Sequence, residues 1–192
     1  MSMDLAKPTF EHVVLVNDAN RPIGISKKID VHHAATPLHR GFSVFLFDRS
    51  GRTLLQQRSL GKVTWPGVWS NACCGHPQLH ESTLDAMHRR LDDELGLTNV
   101  NLTVLLPDYR YRFAHNGIVE NEFCPVAVGI VDERPQLNPD EVHAIRWINW
   151  RALLEEIGRE SDYTEWCIEE AILLANDPAF RTFHEALRDE SV

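Results

Sequence analysis

Glu120 and Glu122 stand either side of one asparagine in the stretch Gly117-Ile118-Val119-Glu120-Asn121-Glu122-Phe123-Cys124. If that stretch is a strand, its period of two puts both carboxylates on one face. Two carboxylates side by side in apolar surroundings repel unless a cation or a proton lies between them. One is then a metal ligand and the other an acid or base; a half-exposed strand with solvated glutamates is the competing explanation. His32, His33, His39 and His76 could complete a mixed nitrogen and oxygen set suited to Mn²⁺ or Zn²⁺, although any single histidine is more often structural. A second reactive stretch is Asn71-Ala72-Cys73-Cys74-Gly75-His76-Pro77-Gln78, where a thiol precedes Gly and His inside a loop. A packed, inert cysteine is the commoner fate of that residue type. A zinc knuckle from Cys73, Cys74, His76 and His80 would need adjacent cysteine ligands, against the usual C-x₂-C spacing.

A third group runs from Gly75 through Glu81 to Arg89-Arg90-Leu91-Asp92-Asp93-Glu94-Leu95-Gly96-Leu97. Mg²⁺ prefers carboxylate and other hard oxygens, so acids at helical spacing could hold it. A solvated helix face without a ligand is the alternative. The helix itself is well signalled. Ser82 with Asp85 resembles a capping box, Gly96 supplies the stop, and Leu84, Met87, Leu91 and Leu95 form the apolar stripe. Arg90 and Glu94, four residues apart, lie together beside that stripe.

The elements that must position these groups can be read around them. Strands are expected at 13–16, 42–47 and 53–57, the last two joined by the hairpin turn Asp48-Arg49-Ser50-Gly51. Trp65-Pro66-Gly67 opens a long loop to about Leu79. Two long strands follow at 102–113 and 118–131, joined around His115-Asn116-Gly117, then another at 144–148. Helices are expected near 151–157, 164–176 and 178–188. Mixed strands with flanking helices imply an α/β sandwich.

Composition narrows the classes of function. The 192 residues carry no repeat or Gly/Ser-rich linker, so residues 1–192 are expected to form one domain, with a loosely held N-terminus of about ten residues. A formal charge of −9 argues against nucleic acid, because polyanion binding wants a basic face. An anionic ligand must then be met by local cations or bound metal. No apolar run approaches the ~18 residues of a membrane span, and no secretion signal is visible. A cytoplasmic protein is the expectation, with Cys73, Cys74, Cys124 and Cys167 reduced.

The stretch Gly75, five residues, Glu81, seven residues, then 89–97 is similar to the Nudix box, a loop–helix–loop whose glutamates hold a divalent cation against a diphosphate. Arg90 stands where a hydrolytic Nudix enzyme has a glutamate, and Asp93 replaces another. Losing a carboxylate and gaining a cation favours gripping phosphate over activating water. From about Glu11 to about Ala175 the chain resembles type I isopentenyl-diphosphate isomerase. The resemblance is carried by Pro37-Leu38-His39-Arg40-Gly41-Phe42-Ser43, Trp65-Pro66-Gly67-Val68-Trp69, the Asn71–Gln78 stretch, Tyr109-Arg110-Tyr111-Arg112, and Gly117 to Pro125.

That resemblance implies a Nudix-like mixed-sheet α/β/α sandwich with extra C-terminal helices. It implies that His32, His39, His76, Glu120 and Glu122 bind one Mn²⁺, Zn²⁺ or Mg²⁺, and that Glu94 binds a Mg²⁺ arriving with the diphosphate. Arg58, Lys62 and Arg90 would contact phosphate oxygens. Cys74 and Glu122 would face each other across the hydrocarbon end, with Tyr111 near Glu122 and Trp166 covering the substrate. In this reading Glu122, with Tyr111, protonates the alkene and Cys74 mediates proton removal, the roles exchanging in reverse. The partner is a small diphosphate, without nucleic acid or membrane, and the protein is a monomer or weak oligomer. The rivals are a Nudix diphosphate hydrolase, a non-catalytic diphosphate-binding module and a zinc-structural or redox-sensing protein.

Overall fold

The structure, a computed structural model, describes residues 10–159 and 162–189. The expected loosely held N-terminus falls on residues 1–9, outside these. The chain opens with the hairpin β1 (His12–Val16) and β2 (Pro22–Lys27), one helical turn α1 (Lys28–Val31), and the two-residue β3 (His39–Arg40). Next come β4 (Phe42–Phe47), β5 (Arg52–Arg58), and the short β6 (Trp69–Ser70) and β7 (Cys73–Gly75). Helix α2 (Thr83–Leu95) leads to β8 (Asn101–Leu106), β9 (Arg110–His115), β10 (Ile118–Phe123), β11 (Val126–Ile130) and β12 (Val142–Asn149). Three helices close the chain: α3 (Trp150–Ile157), α4 (Glu165–Asn176) and α5 (Pro178–Asp189).

These strands build two mixed sheets, one ordered β2-β1-β3-β10-β9 and the other β12-β5-β4-β11-β8 with β6 and β7 at its side. In the second, β4 is buried at all six positions, as a central strand covered on both faces must be. Its period of two sorts the side chains. Phe42, Val44 and Leu46 pack with Met87, Leu91 and Leu95 of α2, while Phe45 and Phe47 join Trp150, Leu174 and Phe180 of the C-terminal helices. The result is the expected mixed-sheet α/β/α sandwich.

Two expectations need correction. The runs 102–113 and 118–131 are each two strands, and each pair is divided between the sheets: β8 and β11 lie in one, β9 and β10 in the other. Pro107 and Pro125 fall in the gaps, and a residue without an N–H cannot continue a ladder. Between β3 and β4 the chain changes sheet at Gly41, whose N–H donates to Phe123 O, while Ser43 N–H donates to Pro125 O. The crossings therefore lie side by side. In α2, Ser82 Oγ accepts from Asp85 N–H and Gly96 ends the helix at φ 64°, as expected. Leu84, however, stays 43 % exposed; it sits at the margin of the stripe, which begins at Ala86 and Met87. Among the described residues no helix is long and apolar enough to cross a membrane.

Candidate active site

A cavity of about 510 Å³ opens between the sheets, and the residues singled out from the sequence converge on it: His32, Arg58, Lys62, Cys74, His76, Arg90, Tyr111, Glu120, Glu122 and Trp166 all line it. At one end three histidines and two glutamates meet. His32 caps the C-terminus of α1, His39 lies on β3, and His76 follows β7. Glu120 and Glu122 lie on one face of β10, and His39 pairs with Glu122 in the sheet register. His76 Nε2 is 2.8 Å from Glu122 Oε1 and 3.3 Å from His39 Nε2. His32 Nε2 lies 3.1 Å from Glu120 Oε2.

The ring orientations follow from their outer contacts. His32 Nδ1 reaches Lys28 O at 3.2 Å and His39 Nδ1 reaches Pro37 O at 2.9 Å. A carbonyl oxygen only accepts, so each Nδ1 must carry the hydrogen, and Nε2 of the neutral ring turns a lone pair inward. His33 points into its own turn, its Nδ1 accepting from Ala35 N–H, which settles which of the adjacent histidines faces the cavity. Burial pushes His76 down to about 4, and the positive charge of Lys28 acts the same way. Burial alone would raise Glu122, but His76 and His39 hold it below the ordinary carboxylate range.

These donors suit a divalent cation. One ligand atom from each of His32, His39, His76 and Glu120 can be chosen so that all lie within 4.8 Å of one another. Ligand distances of ~2.0–2.2 Å would place opposite ligands about 4.4 Å apart. Among the described residues His32 Nε2 and Glu120 Oε2 are buried without a hydrogen-bond partner, a costly arrangement unless something else satisfies them. Glu122 Oε1 adjoins the same group. Among the described residues this is the group found with metal-holding spacing, and it contains no cysteine, which tells against the zinc-knuckle reading. All four cysteines are free.

Cys74 and Cys73 part company because β7 alternates its faces. Cys73 is fully buried against α2, whereas Cys74 borders the cavity. Cys74 Sγ donates to Asn71 Oδ1 at 3.2 Å and lies 3.5 Å from Ser43 Oγ. Burial pushes its thiol up to about 12, so it rests protonated. Tyr111, directly opposite Glu122 in the sheet, stacks on Trp166 at 5.7 Å. Trp166 is 2 % exposed, edge-on to Trp65 at 5.0 Å and beneath the Arg58 guanidinium at 5.6 Å.

At the other end of the cavity the cations already have partners. Lys62 Nζ meets Glu141 at 2.5 Å; Arg90 meets Asp93 at 2.7 Å, Glu94 at 2.5 Å and Glu141 at 3.1 Å. Arg58 donates to Thr64 O, Thr64 Oγ1 and Trp65 O, and so braces the loop that carries Lys62. Glu94 stands apart from the histidine group: Arg90 takes its Oε1, and among the described residues its buried Oε2 has no partner. Arg89 and Glu81 tie α2 to the cysteine loop, Arg89 donating to both Glu81 oxygens and to His76 O. Sequence reasoning missed Lys28, which lines the cavity paired with Glu11, as well as Glu141. Lys28 precedes His32 by one helical turn, a usable signal had α1 been recognised; Glu141 offered none.

The NUDIX domain family matches residues 37–167. The chain is 45% identical over 175 residues to the isopentenyl-diphosphate Delta-isomerase of Saccharopolyspora erythraea, covering 88% of this chain and 90% of that one. It is 44% identical over 165 residues to the enzyme of the same name from Citrobacter koseri, covering 85% and 91%. Among solved structures, DR0079 of Deinococcus radiodurans superposes with a TM-score of 0.69 at 20% identity over 84% of this chain and 97% of that one, a likeness of fold alone. The MutT protein of Methanosarcina mazei Go1 matches at 0.53 and 21%, over 81% and 96%. Its sandwich, its NUDIX match and these relatives place the chain in the isopentenyl-diphosphate Delta-isomerase family of the NUDIX fold.

Proposed function

We propose that this protein interconverts isopentenyl diphosphate and dimethylallyl diphosphate by proton addition and removal through a tertiary carbocation. The observation that carries the reading is the meeting, in one cavity, of a histidine–glutamate group, a cavity-facing thiol, stacked aromatics and a cationic end. The cationic end, Arg58, Lys62 and Arg90, suits the diphosphate, and the paired carboxylates Glu94 and Glu141 suit a Mg²⁺ carried with it. A divalent cation held by His32, His39, His76, Glu120 and Glu122 would offset the negative charge of the glutamate pair and fix Glu122 in place.

Moving the double bond adds a proton to the terminal alkene carbon and removes one from the carbon on the other side of the cationic centre, so protons balance. Such a reaction needs an acid and a base at the two positions. Once Glu122 has taken up a proton and Cys74 has given one up, Glu122, with Tyr111 beside it, protonates the alkene and the Cys74 thiolate takes the proton lost. In reverse Cys74, protonated as it rests, gives the proton and the Glu122 carboxylate takes one. The intermediate has no carbonyl to share its charge. The faces of Trp166 and Tyr111 supply cation–π attraction worth up to ~2 kcal/mol when desolvated. A cavity walled by these rings also keeps water from capturing the cation.

Proton NMR of isopentenyl diphosphate in D₂O, with Mg²⁺ and Mn²⁺ present, tests the reading. Dimethylallyl diphosphate carrying deuterium is expected from wild type. Glu122→Gln and Cys74→Ala are each expected to slow turnover by ~10²–10⁴-fold, the usual scale of general acid–base catalysis. Release of inorganic phosphate without isomerisation would show a hydrolase instead, and binding without turnover a diphosphate-binding module.

A further inference from the structure

Glu170 is a carboxyl group where an ionised one is strongly disfavoured. It lies on α4 with no exposed surface, and among the described residues its Oε2 has no hydrogen-bond partner. Its Oε1 lies 3.8 Å from the Cys124 thiol, which is itself 3.5 Å from Ser43 Oγ. The charges facing it are those of Glu122 on β10 and Glu169 on its own helix, both negative. The other titratable groups in its field are the thiols of Cys74 on β7, Cys124 after β10 and Cys167 on α4, and the phenol of Tyr109. Among the described residues no cation is paired with it. A buried carboxylate without a counter-charge takes up a proton instead. Burial does push this carboxyl well above its ordinary range. The neutral acid is a hydrogen-bond donor, which the carboxylate is not.

Its surroundings supply the acceptor. Ser43 occupies the face of β4 that looks toward the C-terminal helices, and its hydroxyl faces Glu170. Ser43 Oγ is also 3.5 Å from both Cys74 Sγ and Cys124 Sγ. When the proton leaves Cys74 during turnover, the sulfur needs donors. Asn71 turns its acceptor oxygen to that sulfur, because its amide nitrogen already donates to Val44 O and Cys73 O. The Ser43 hydroxyl is a donor within reach, and it can give its single hydrogen to Cys74 if another group donates to its oxygen.

We propose that Glu170, as a neutral carboxylic acid, is a positioning residue that donates to Ser43 and turns the Ser43 hydroxyl onto the Cys74 sulfur. Glu170 is one helical turn beyond Trp166, so α4 sets both the aromatic wall and the donor chain behind the thiol. The inference rests on Cys74 exchanging a proton with the substrate as described above.

The test compares metal-loaded wild type with Glu170→Gln, Glu170→Leu, Ser43→Ala and the Ser43→Ala/Glu170→Leu double variant, following isomerisation and thermal unfolding. Glu170→Leu is expected to lose about tenfold in kcat, the equivalent of one neutral hydrogen bond. Its KM should stay within about twofold of wild type. Its unfolding temperature should not fall, because an unsatisfied polar atom has been replaced by an apolar one. Glu170→Gln, whose amide N–H can donate in place of the acid, should retain kcat within about threefold. The double variant should be no slower than Ser43→Ala alone. Wild-type kcat in Glu170→Leu or in Ser43→Ala overturns the proposal, as does a Glu170→Gln enzyme as slow as Glu170→Leu. A wild type that does not isomerise at all defeats the functional reading itself and this inference with it.

Discussion

At the scale of single residues, the site is governed by which side chains share a face. Glu120 and Glu122 were legible as a pair because strand parity needs no tertiary information. The same parity separates Cys74 from Cys73 once β7 is known, yet the strand is three residues long and carries no hydrophobic pattern of its own. Gly41 makes the sharpest prediction. A Cβ built there would lie 1.9 Å from Glu122 Oε2, so the glycine is what allows the carboxylate to lie against the backbone. Gly41→Ala should therefore displace Glu122, weakening both turnover and metal binding. Circular dichroism and a Mn²⁺ titration beside the activity assay would show it; a variant with full metal affinity and full kcat would refute the close packing. Glu170 was invisible in the sequence, where it reads as an ordinary glutamate in a helix.

At the scale of elements, α2 was readable from end to end because its signals are local. Ser82 caps one end, Gly96 stops the other, and the stripe between them faces β4. Ser82→Ala should cost about 1 kcal/mol in chemical denaturation. An unchanged midpoint would mean that the Arg89–Glu81 tie, not the cap, fixes the helix start. The runs around Pro107 and Pro125 were less legible. A proline marks a break, but whether the strand resumes in the same sheet depends on partners distant in the chain. Here β8 and β11 find each other on one sheet and β9 and β10 on the other.

At the scale of the whole molecule, charges at the cavity link stability to solution conditions. Burial alone would raise Glu141, but Lys62 and Arg90 pull it down to about 2 from an ordinary 4.5. A depressed folded-state value stabilises the native state above the unfolded value, and that stabilisation is lost as pH falls through the folded one. Stability should thus decline between pH 4.5 and about 2, and Glu141→Gln should flatten that part of the curve in pH-dependent urea denaturation. An equally steep decline in the variant would assign the effect elsewhere. The histidine–glutamate group joins the end of α1, β3, the loop after β7, and β10. A cation there should raise the unfolding free energy by ~2.7 kcal/mol at a hundredfold excess over Kd. Chelation should reverse the gain in a thermal melt, whereas indifference to chelator would argue against the site.

By itself the sequence determined the residue types, their parity along strands, the capped helix and the character of each segment, since these depend on neighbours within a few positions. His39, His76, Glu120, Glu122 and Cys74 could be named on that basis and by family resemblance. Only the tertiary structure decided which of His32 and His33 faces the cavity, and that Glu94 is held by Arg90. It alone showed that Lys28 and Glu141 border the same space and that Glu170 lies behind Cys74. Those facts depend on contacts between residues far apart in the chain: 96 positions separate Cys74 from Glu170. The two sheets bring them together only because the chain crosses between layers at Gly41, around Pro107 and at Pro125.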